Sequence, residues 1–200
     1  RKYKKTTLPD CWEITEDGTI FCLDKQRSEA KGKGRGDIVY GKKKFGNFHL
    51  KLEWKISSGG NSGVFYLGQE NNSYGNIWMT TPELQILDSE NHPNAKTGIP
   101  DYHKSGSLYD LIPAVPQNEK PFGEWNSAEI KVYNGSVLHI QNGETVVEYH
   151  LGTPEWEEIV AGSKFSKVNA KWADVAAEGY IGLQDHGNDV WFRNIKIKEL

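Results

Sequence analysis

Apolar and polar residues alternate with a period of two along most of the chain, which is the pattern of half-buried β-strands. The longest alternating run covers residues 48–56, where five apolar side chains fall on one face: Phe48, Leu50, Leu52, Trp54 and Ile56. Shorter strand-like runs lie at residues 12–15, 19–23, 63–67, 83–87, 125–133, 137–141, 145–149, 179–183 and 190–200. Residues 156–165, which follow Thr153-Pro154-Glu155, are the one stretch predicted to be helical.

Turn residues separate these runs. Asn134-Gly135 and Asn142-Gly143 supply the positive φ that two-residue hairpins require. A chain of 200 residues is long enough for one large β-sandwich. We therefore predict an all-β fold, a two-sheet antiparallel jelly-roll sandwich of the concanavalin-like type, forming a single domain over residues 1–200.

The same alternation predicts a polar surface on the outside of the sandwich. Leu84 and Ile86 are expected to point into the core, which leaves Glu83 and Gln85 on the outer face. In residues 181–186, Ile181 and Leu183 are expected to point inward, which turns Gln184 and His186 outward. If both strands belong to one concave sheet, these side chains form a site.

Three side chains are candidates for catalysis: Glu83, His186 and Arg193. The carboxyls of Glu83 and Asp88 could form the pair that ordinary glycosidases use, or could be solvated positions before a loop. The imidazole of His186 could serve as a base, or the Asp185–Asp189 segment could simply form a turn. Arg193 needs a carboxylate or a ligand oxygen, so a structural salt bridge is the alternative for it.

Other polar and aromatic residues are candidates for binding a sugar. Trp78 lies in Asn- and Gly-rich surroundings and could stack on a sugar face, although most aromatic residues pack in the core. Residues 88–117 form a long Pro-, Asn- and Gly-rich stretch of the kind that often builds binding walls. The full set of substrate-binding candidates is Asn61, Gln85, Tyr109, Gln184, Trp78, His103 and Lys104.

The metal and cysteine signals are weak. Asp88 and Glu90 are possible ligands of a divalent cation such as calcium, but they lack a calcium-loop pattern. Cys11 and Cys22 flank a predicted hairpin and could form a disulfide or remain buried thiols.

Charge and terminal features limit the partners. A net charge of −3 with both signs interspersed gives no basic patch of the kind that binds nucleic acid, and no apolar run reaches the roughly 20 residues of a membrane span.

The basic start at residues 1–5 is interpreted as a solvated terminus, and the Gly-, Lys- and Arg-rich run at 31–36 as a flexible surface loop. Since the chain opens without Met or an apolar signal core, we expect a secreted or periplasmic protein whose targeting segment has been removed. The oligomeric state stays open.

Eight short phrases follow one another in an order that resembles the 3-keto-disaccharide hydrolase domain family. They are FHLKLEWK (48–55), GNSGV (60–64), PELQILD (82–88), GSLYDL (106–111), GEWN (123–126), QNG (141–143), GLQDHG (182–187) and FRNIKI (192–197). The resemblance covers residues 12–200 and implies a fold similar to concanavalin-like lectins and glucanases. It also implies cleavage of glycosides that carry a ketone at sugar C3.

Such a ketone acidifies the C2 proton, so a base can remove it and the C1 group can leave by elimination, after which water adds. The resemblance favours His186 or Glu83 as the base and Arg193 or a bound divalent cation at the enolate. Gln85, Gln184 and Asn61 would contact hydroxyls. Two other functions remain open: a non-catalytic carbohydrate-binding module that uses the same concave face, and an adhesion domain with a flat apolar patch.

Overall fold

A computed structural model describes residues 1–23 and 36–200 of the chain. The interpretation of the Gly-, Lys- and Arg-rich run as a surface loop lies outside these residues, apart from Gly36. The described strands are β1 Trp12–Ile14, β2 Ile20–Cys22, β3 Ile38–Val39, β4 Phe48–Ile56, β5 Asn61–Gly68, β6 Glu83–Leu87, β7 Asn126–Tyr133, β8 Ser136–Gln141, β9 Glu144–His150, β10 Tyr180–Leu183 and β11 Val190–Glu199.

These strands form two antiparallel sheets. The larger sheet has the order β1-β2-β11-β4-β7-β8-β9, and the smaller has the order β3-β10-β5-β6 within the described residues. The predicted all-β, two-sheet antiparallel fold is confirmed. The single-domain boundary of residues 1–200 stays a prediction.

The apolar faces of both sheets meet in one core. In β4 the apolar residues of the alternating run are all buried, whereas Lys51 between them is exposed. In the smaller sheet Leu84 and Ile86 of β6 pack in the same core as Ile181 and Leu183 of β10. Glu83 and Gln85 therefore lie on the outer face of the smaller sheet, as the alternation predicts.

Two short α-helices follow β9. Helix α1 covers Pro154–Ala161 and helix α2 covers Phe165–Val168. The Thr153 side chain accepts a hydrogen bond from the Trp156 amide and Pro154 occupies the first turn, which is why α1 begins two residues before the predicted start. Two 3-10 turns, Ile77–Thr80 and Pro93–Lys96, lie in the loops beside β6. No helix in the described ranges is long and apolar enough to cross a membrane.

The interpretation of residues 1–5 as a solvated terminus is wrong, because they cover the outer face of the smaller sheet. Tyr3 is 6% exposed and packs with Phe65 and Ile77 in a second apolar cluster. Arg1 donates two hydrogen bonds to Glu70, at 2.6 and 2.8 Å. The aromatic ring at position 3 makes the basic segment part of the fold.

The long stretch after β6 is also ordered. It folds back along the edge of that strand, where the Gln85 amide donates to the Ser107 carbonyl at 3.0 Å and the Gly106 amide donates to the Gln85 carbonyl at 2.9 Å. This stretch therefore forms a wall beside the outer face of β6, opposite the segment around Tyr3.

Candidate active site

A cavity of about 670 Å³ lies on the outer face of the smaller sheet, between these two walls. Its lining comes from strands β5 and β6, the start of the chain, the residues just before β3, the segment around the first 3-10 turn, the loop at Tyr109, the start of helix α2 and the segment after β10. The lining residues are Lys2, Tyr3, Gly36, Asp37, Asn61, Gly75, Asn76, Trp78, Glu83, Gln85, Tyr109, Lys164, Phe165, Gln184, Asp185 and His186. The structure thus brings together seven of the sequence-predicted site residues: Asn61, Trp78, Glu83, Gln85, Tyr109, Gln184 and His186.

Glu83 is the most buried ionisable group in this cavity. Its carboxyl packs over Gly63 of the neighbouring strand, so that a Cβ at Gly63 would overlap it. Burial raises the pKa of Glu83 well above its usual value, and the negative charge of Asp37 adds to this effect. Burial therefore favours the neutral form of this carboxyl, and that form can donate a proton or a hydrogen bond.

Three buried acceptor oxygens at the cavity have no hydrogen-bond partner within residues 1–23 and 36–200. They are Asn61 Oδ1, Glu83 Oε1 and Gln184 Oε1. Buried polar atoms are normally satisfied, so three unpartnered oxygens around one cavity indicate a ligand or waters that donate to them. A ligand rich in hydroxyl groups has the matching chemistry.

Asp37 brings a second carboxyl to the same cavity, just before β3. Its Oδ1 accepts a hydrogen bond from the Asp185 amide at 3.0 Å. Burial raises the pKa of Asp37 to about 7, and the charge of Asp185 acts in the same direction, while the hydrogen bond from the Asp185 amide and the charge of Lys2 oppose this shift. With Glu83 and Asp185, three carboxyls therefore line the cavity, together with the ammonium groups of Lys2 and Lys164.

One wall is built around Tyr109. Lys164 donates to the Tyr109 hydroxyl at 2.9 Å, and its ammonium lies 4.1 Å from the centre of the ring. Behind the ring lies His103, with ring centroids 4.8 Å apart, and His103 is held by Asp110 at 2.7 Å. His103 does not line the cavity but supports the residue that does.

His186 lies at the rim of the cavity. It follows β10 by three residues and is exposed, and its ring packs edge-on to His92 with centroids 6.3 Å apart. Although the side chain reaches solvent, burial of part of its ring lowers the pKa of His186, while a backbone hydrogen bond and the charge of Asp185 oppose this change. A neutral imidazole at a cavity rim is suited to accept a proton.

Arg193 does not line the cavity, so the prediction that it lies in the pocket is wrong. It belongs to β11 of the larger sheet, where its neighbours Val190 and Phe192 point into the core. Its guanidinium is held by Glu53 at 2.6 Å and stacks 3.9 Å from the centre of the Trp125 ring. The structural salt bridge, the alternative left open by the sequence, is what the structure contains.

The Glu83 and Asp88 carboxyls do not form a pair. Strand β6 pairs with β5 from Glu83 to Leu87 without a bulge, so residues five positions apart fall on opposite faces. Asp88 accepts hydrogen bonds from the Gly59 amide at 2.7 Å and from the Asn91 side chain at 2.9 Å, away from the lining residues. Glu90 is exposed, and Lys104 is paired with Asp101 at 2.7 Å, so neither lines the cavity.

Sequence reasoning missed five lining residues of chemical interest: Lys2, Tyr3, Asp37, Lys164 and Phe165. Lys2 and Tyr3 lie in the basic start, and Asp37 directly follows the Gly-rich run. Lys164 and Phe165 lie at the end of the predicted helix. Of these five residues, Asp37 is the one that the sequence could have indicated, because its carboxylate lies directly before the short apolar pair Ile38-Val39.

The fold and the cavity together define a class. A sandwich of two antiparallel sheets with a polar cavity on one outer face is an architecture of carbohydrate-binding and carbohydrate-cleaving proteins. The chain belongs to a family within it, because residues 1–198 match the model of the 3-keto-alpha-glucoside-1,2-lyase-like domain.

Individual relatives agree with this membership. A 3-keto-disaccharide hydrolase of Bacteroides thetaiotaomicron is 49% identical, in an alignment that covers all of this chain and 74% of the relative. A protein of Parabacteroides distasonis, whose crystal structure is described provisionally as that of a glycosyl hydrolase, is 31% identical to this chain. The two structures match with a TM-score of 0.84 over 100% of this chain and 88% of the Parabacteroides chain. The chain is therefore an enzyme of the hydrolase class.

A more distant similarity shows the fold alone. A carbohydrate-binding module of Bacillus subtilis is 11% identical, with a TM-score of 0.57, and the match covers 97% of this chain and 94% of the module.

Proposed function

We propose that this protein cleaves glycosides already oxidised to a ketone at sugar C3, by removal of the C2 proton and elimination of the C1 substituent. Two relations support the substrate class: membership of the 3-keto-alpha-glucoside-1,2-lyase-like family and the 49% identity to a 3-keto-disaccharide hydrolase. The observation that carries the mechanism is the Glu83 carboxyl, which is buried beneath a polar cavity of about 670 Å³, where burial raises its pKa well above the usual value. The Glu83 and Asp88 pair, which the sequence offered for an ordinary glycosidase mechanism, does not form.

The elimination needs a base, a proton donor and positive charge near the enolate. The base takes the C2 proton, and the electron pair of the C2–H bond moves into the enolate. The C1–O bond then breaks, the leaving oxygen takes up a proton, and water adds to the resulting enone at C1. His186 at the rim is the base in this proposal, and neutral Glu83 is the proton donor.

Lys164 replaces Arg193 as the cation expected at the enolate. Lys164 lines the cavity, whereas Arg193 does not. The hydrogen bond from the Lys164 ammonium to Tyr109 fixes the position of this cation. Asn61 and Gln184 would accept hydrogen bonds from sugar hydroxyls through their unpartnered oxygens. Trp78 and Tyr109 supply flat apolar surface for the C–H face of the sugar.

The direct experiment compares turnover of a 3-keto-glucoside with turnover of its unoxidised parent, each with and without a chelator. We expect cleavage of the keto compound alone. Substrate deuterated at C2 should be cleaved more slowly, since the C2–H bond breaks during the reaction. His186→Gln, Glu83→Gln and Lys164→Met should each lower kcat, whereas Lys104→Ala, outside the cavity, serves as the matched control.

Equal turnover of the keto compound and its parent would overturn the elimination mechanism. Binding of both sugars without turnover of either would instead support a carbohydrate-binding module on the same face.

A further inference from the structure

A cluster of three potential metal ligands lies directly beside the cavity. One ligand atom from each of Cys11, Cys22 and Asp185 can be chosen so that all three lie within 4.8 Å of one another. Both cysteines are completely buried, and they are thiols rather than a disulfide in the structure. Asp185 also lines the cavity, so the cluster joins the β1–β2 hairpin to the segment that carries Gln184 and His186.

One distance within this cluster matches that of a tetrahedral zinc site. Zn–S bonds of about 2.3 Å and Zn–O bonds of about 2.0–2.2 Å at a tetrahedral angle place the sulfur and oxygen about 3.5–3.7 Å apart. The Cys11 Sγ and Asp185 Oδ2 atoms are 3.6 Å apart. A cation can therefore enter the cluster with little movement of this pair.

The carboxylate of the cluster is already held in place by the backbone. The Gly36 amide donates to Asp185 Oδ2 at 3.0 Å, and the Gly187 amide donates to Asp185 Oδ1 at 3.2 Å. Such outer hydrogen bonds are typical around metal-binding side chains, because they orient the ligand before the ion arrives.

We propose that Cys11, Cys22 and Asp185 bind a divalent cation of the zinc class at the end of the cavity. Two thiolate ligands favour a borderline-soft ion over calcium, which prefers oxygen ligands. Each thiol releases its proton to solvent as the ion binds, which pairs the buried negative charge with the cation. The bound ion fixes the segment after β10 and hence the position of His186 at the rim. The site differs from the Asp88 and Glu90 candidates of the sequence.

The test is a titration of the reduced, metal-stripped full chain with Zn²⁺ and, separately, with Co²⁺. We expect one equivalent of either ion to bind and the Co²⁺ protein to show thiolate charge-transfer absorption in the near ultraviolet. Cys11→Ala, Cys22→Ala and Asp185→Asn should each weaken Zn²⁺ binding at least tenfold. The exposed neighbour Asp10→Asn is the matched control and should bind normally.

The two cysteine variants alter the buried interior, so their circular dichroism and melting temperature must be compared with the parent. Asp185→Asn keeps the size of a partly exposed side chain and therefore remains informative if the cysteine variants do not fold. Absence of binding by the reduced parent would overturn the proposal, and so would undiminished binding by Asp185→Asn. A protein isolated with no titratable thiols and a mass lower by two hydrogen atoms would also overturn it, because the cysteines would then form a disulfide. None of these outcomes depends on turnover of a 3-keto-glycoside.

Discussion

Glu83 shows how one residue can be unfavourable for the fold and useful for chemistry. Its carboxyl lies over Gly63, beneath the cavity, where burial and the charge of Asp37 both disfavour ionisation, while the charge of Lys164 favours it. A carboxyl held neutral near pH 7 can donate a proton that a solvated one has already lost. The same property gives it a signature in the stability of the protein.

Glu83→Gln should abolish most turnover and change the pH dependence of stability. The pKa of Glu83 is raised in the fold, so its contribution is fully present below the usual value of 4.5 and is lost as the pH rises through the folded-state value. The variant removes this loss because glutamine does not ionise. We therefore expect its melting temperature to fall less than that of the parent as the pH rises above 4.5, and kcat to fall by about 10²–10⁴.

Thermal denaturation at several pH values measures the first effect and steady-state kinetics the second. Gly63→Ala, which would displace the carboxyl without removing it, is the companion variant. Parallel melting curves for parent and Glu83→Gln would contradict neutral burial of this group.

Arg193→Met should leave turnover unchanged and lower stability slightly. Its guanidinium pairs with Glu53 and stacks on Trp125 on the outer face of the larger sheet, where both partners are partly exposed. Exposed ion pairs contribute at most about 1 kcal/mol, and an exposed cation–π contact contributes a similar amount. A loss of kcat/KM beyond the loss of folded protein would place this residue back in the catalytic machinery.

At the scale of single residues, alternation predicted the outward direction of Glu83, Gln85 and Gln184 because the side-chain period of a strand is fixed. It could not reveal Asp37, whose role depends on a carboxylate being packed against Asp185 from a distant part of the chain. Burial of that kind is a tertiary property and leaves no mark in the local pattern.

Single elements were predicted well where one face is buried, and strand β4 is the clearest case. Leu52→Ala should lower the free energy of unfolding by roughly 2–5 kcal/mol, because Leu52 is 4% exposed in the core between the sheets. Lys51→Ala on the opposite face should lower it by about 0.5 kcal/mol or less, since the lysine makes an exposed pair with Glu129. Urea denaturation of both variants measures the difference, and equal losses would mean that the strand faces have been misassigned.

The period of a strand does not reveal which sheet the strand joins. Strands β10 and β11 are neighbours in the chain, yet β10 pairs with β5 in the smaller sheet and β11 pairs with β4 in the larger one. The chain crosses between the sheets at residues 184–189, so His186 stays beside the cavity and Arg193 does not. The error over Arg193 is therefore one of topology rather than of side-chain direction.

On the scale of the whole molecule, a buried polar network joins the two sheets behind the cavity. His139 Nδ1 lies 3.0 Å from the Gly106 carbonyl, which can only accept, so this nitrogen carries the proton. His139 Nε2 then accepts from the Tyr66 hydroxyl at 2.7 Å, and the Tyr149 hydroxyl donates to Tyr66 at 2.7 Å. Residues from β5, β8, β9 and the long loop therefore share one network.

This network makes the fold sensitive to acid. Burial lowers the pKa of His139 to about 4, and its hydrogen bond to Gly106 only partly opposes this shift. An unfolded histidine takes up a proton below its usual pKa of 6.5, while the folded one resists until about 4. Stability from this residue is thus fully present above pH 6.5 and falls as the pH decreases towards 4.

His139→Gln should remove this pH dependence, although it should also lower stability at neutral pH because glutamine cannot fill the same space or make both hydrogen bonds. Urea denaturation between pH 7 and 4 should give a shallower decline for the variant than for the parent. His150→Gln, at an exposed histidine at the end of β9, is the matched control and should keep the parent's slope. If His139→Gln and the parent lose stability in parallel over this range, protonation elsewhere governs acid unfolding, and the network joins the sheets without making the fold acid-sensitive.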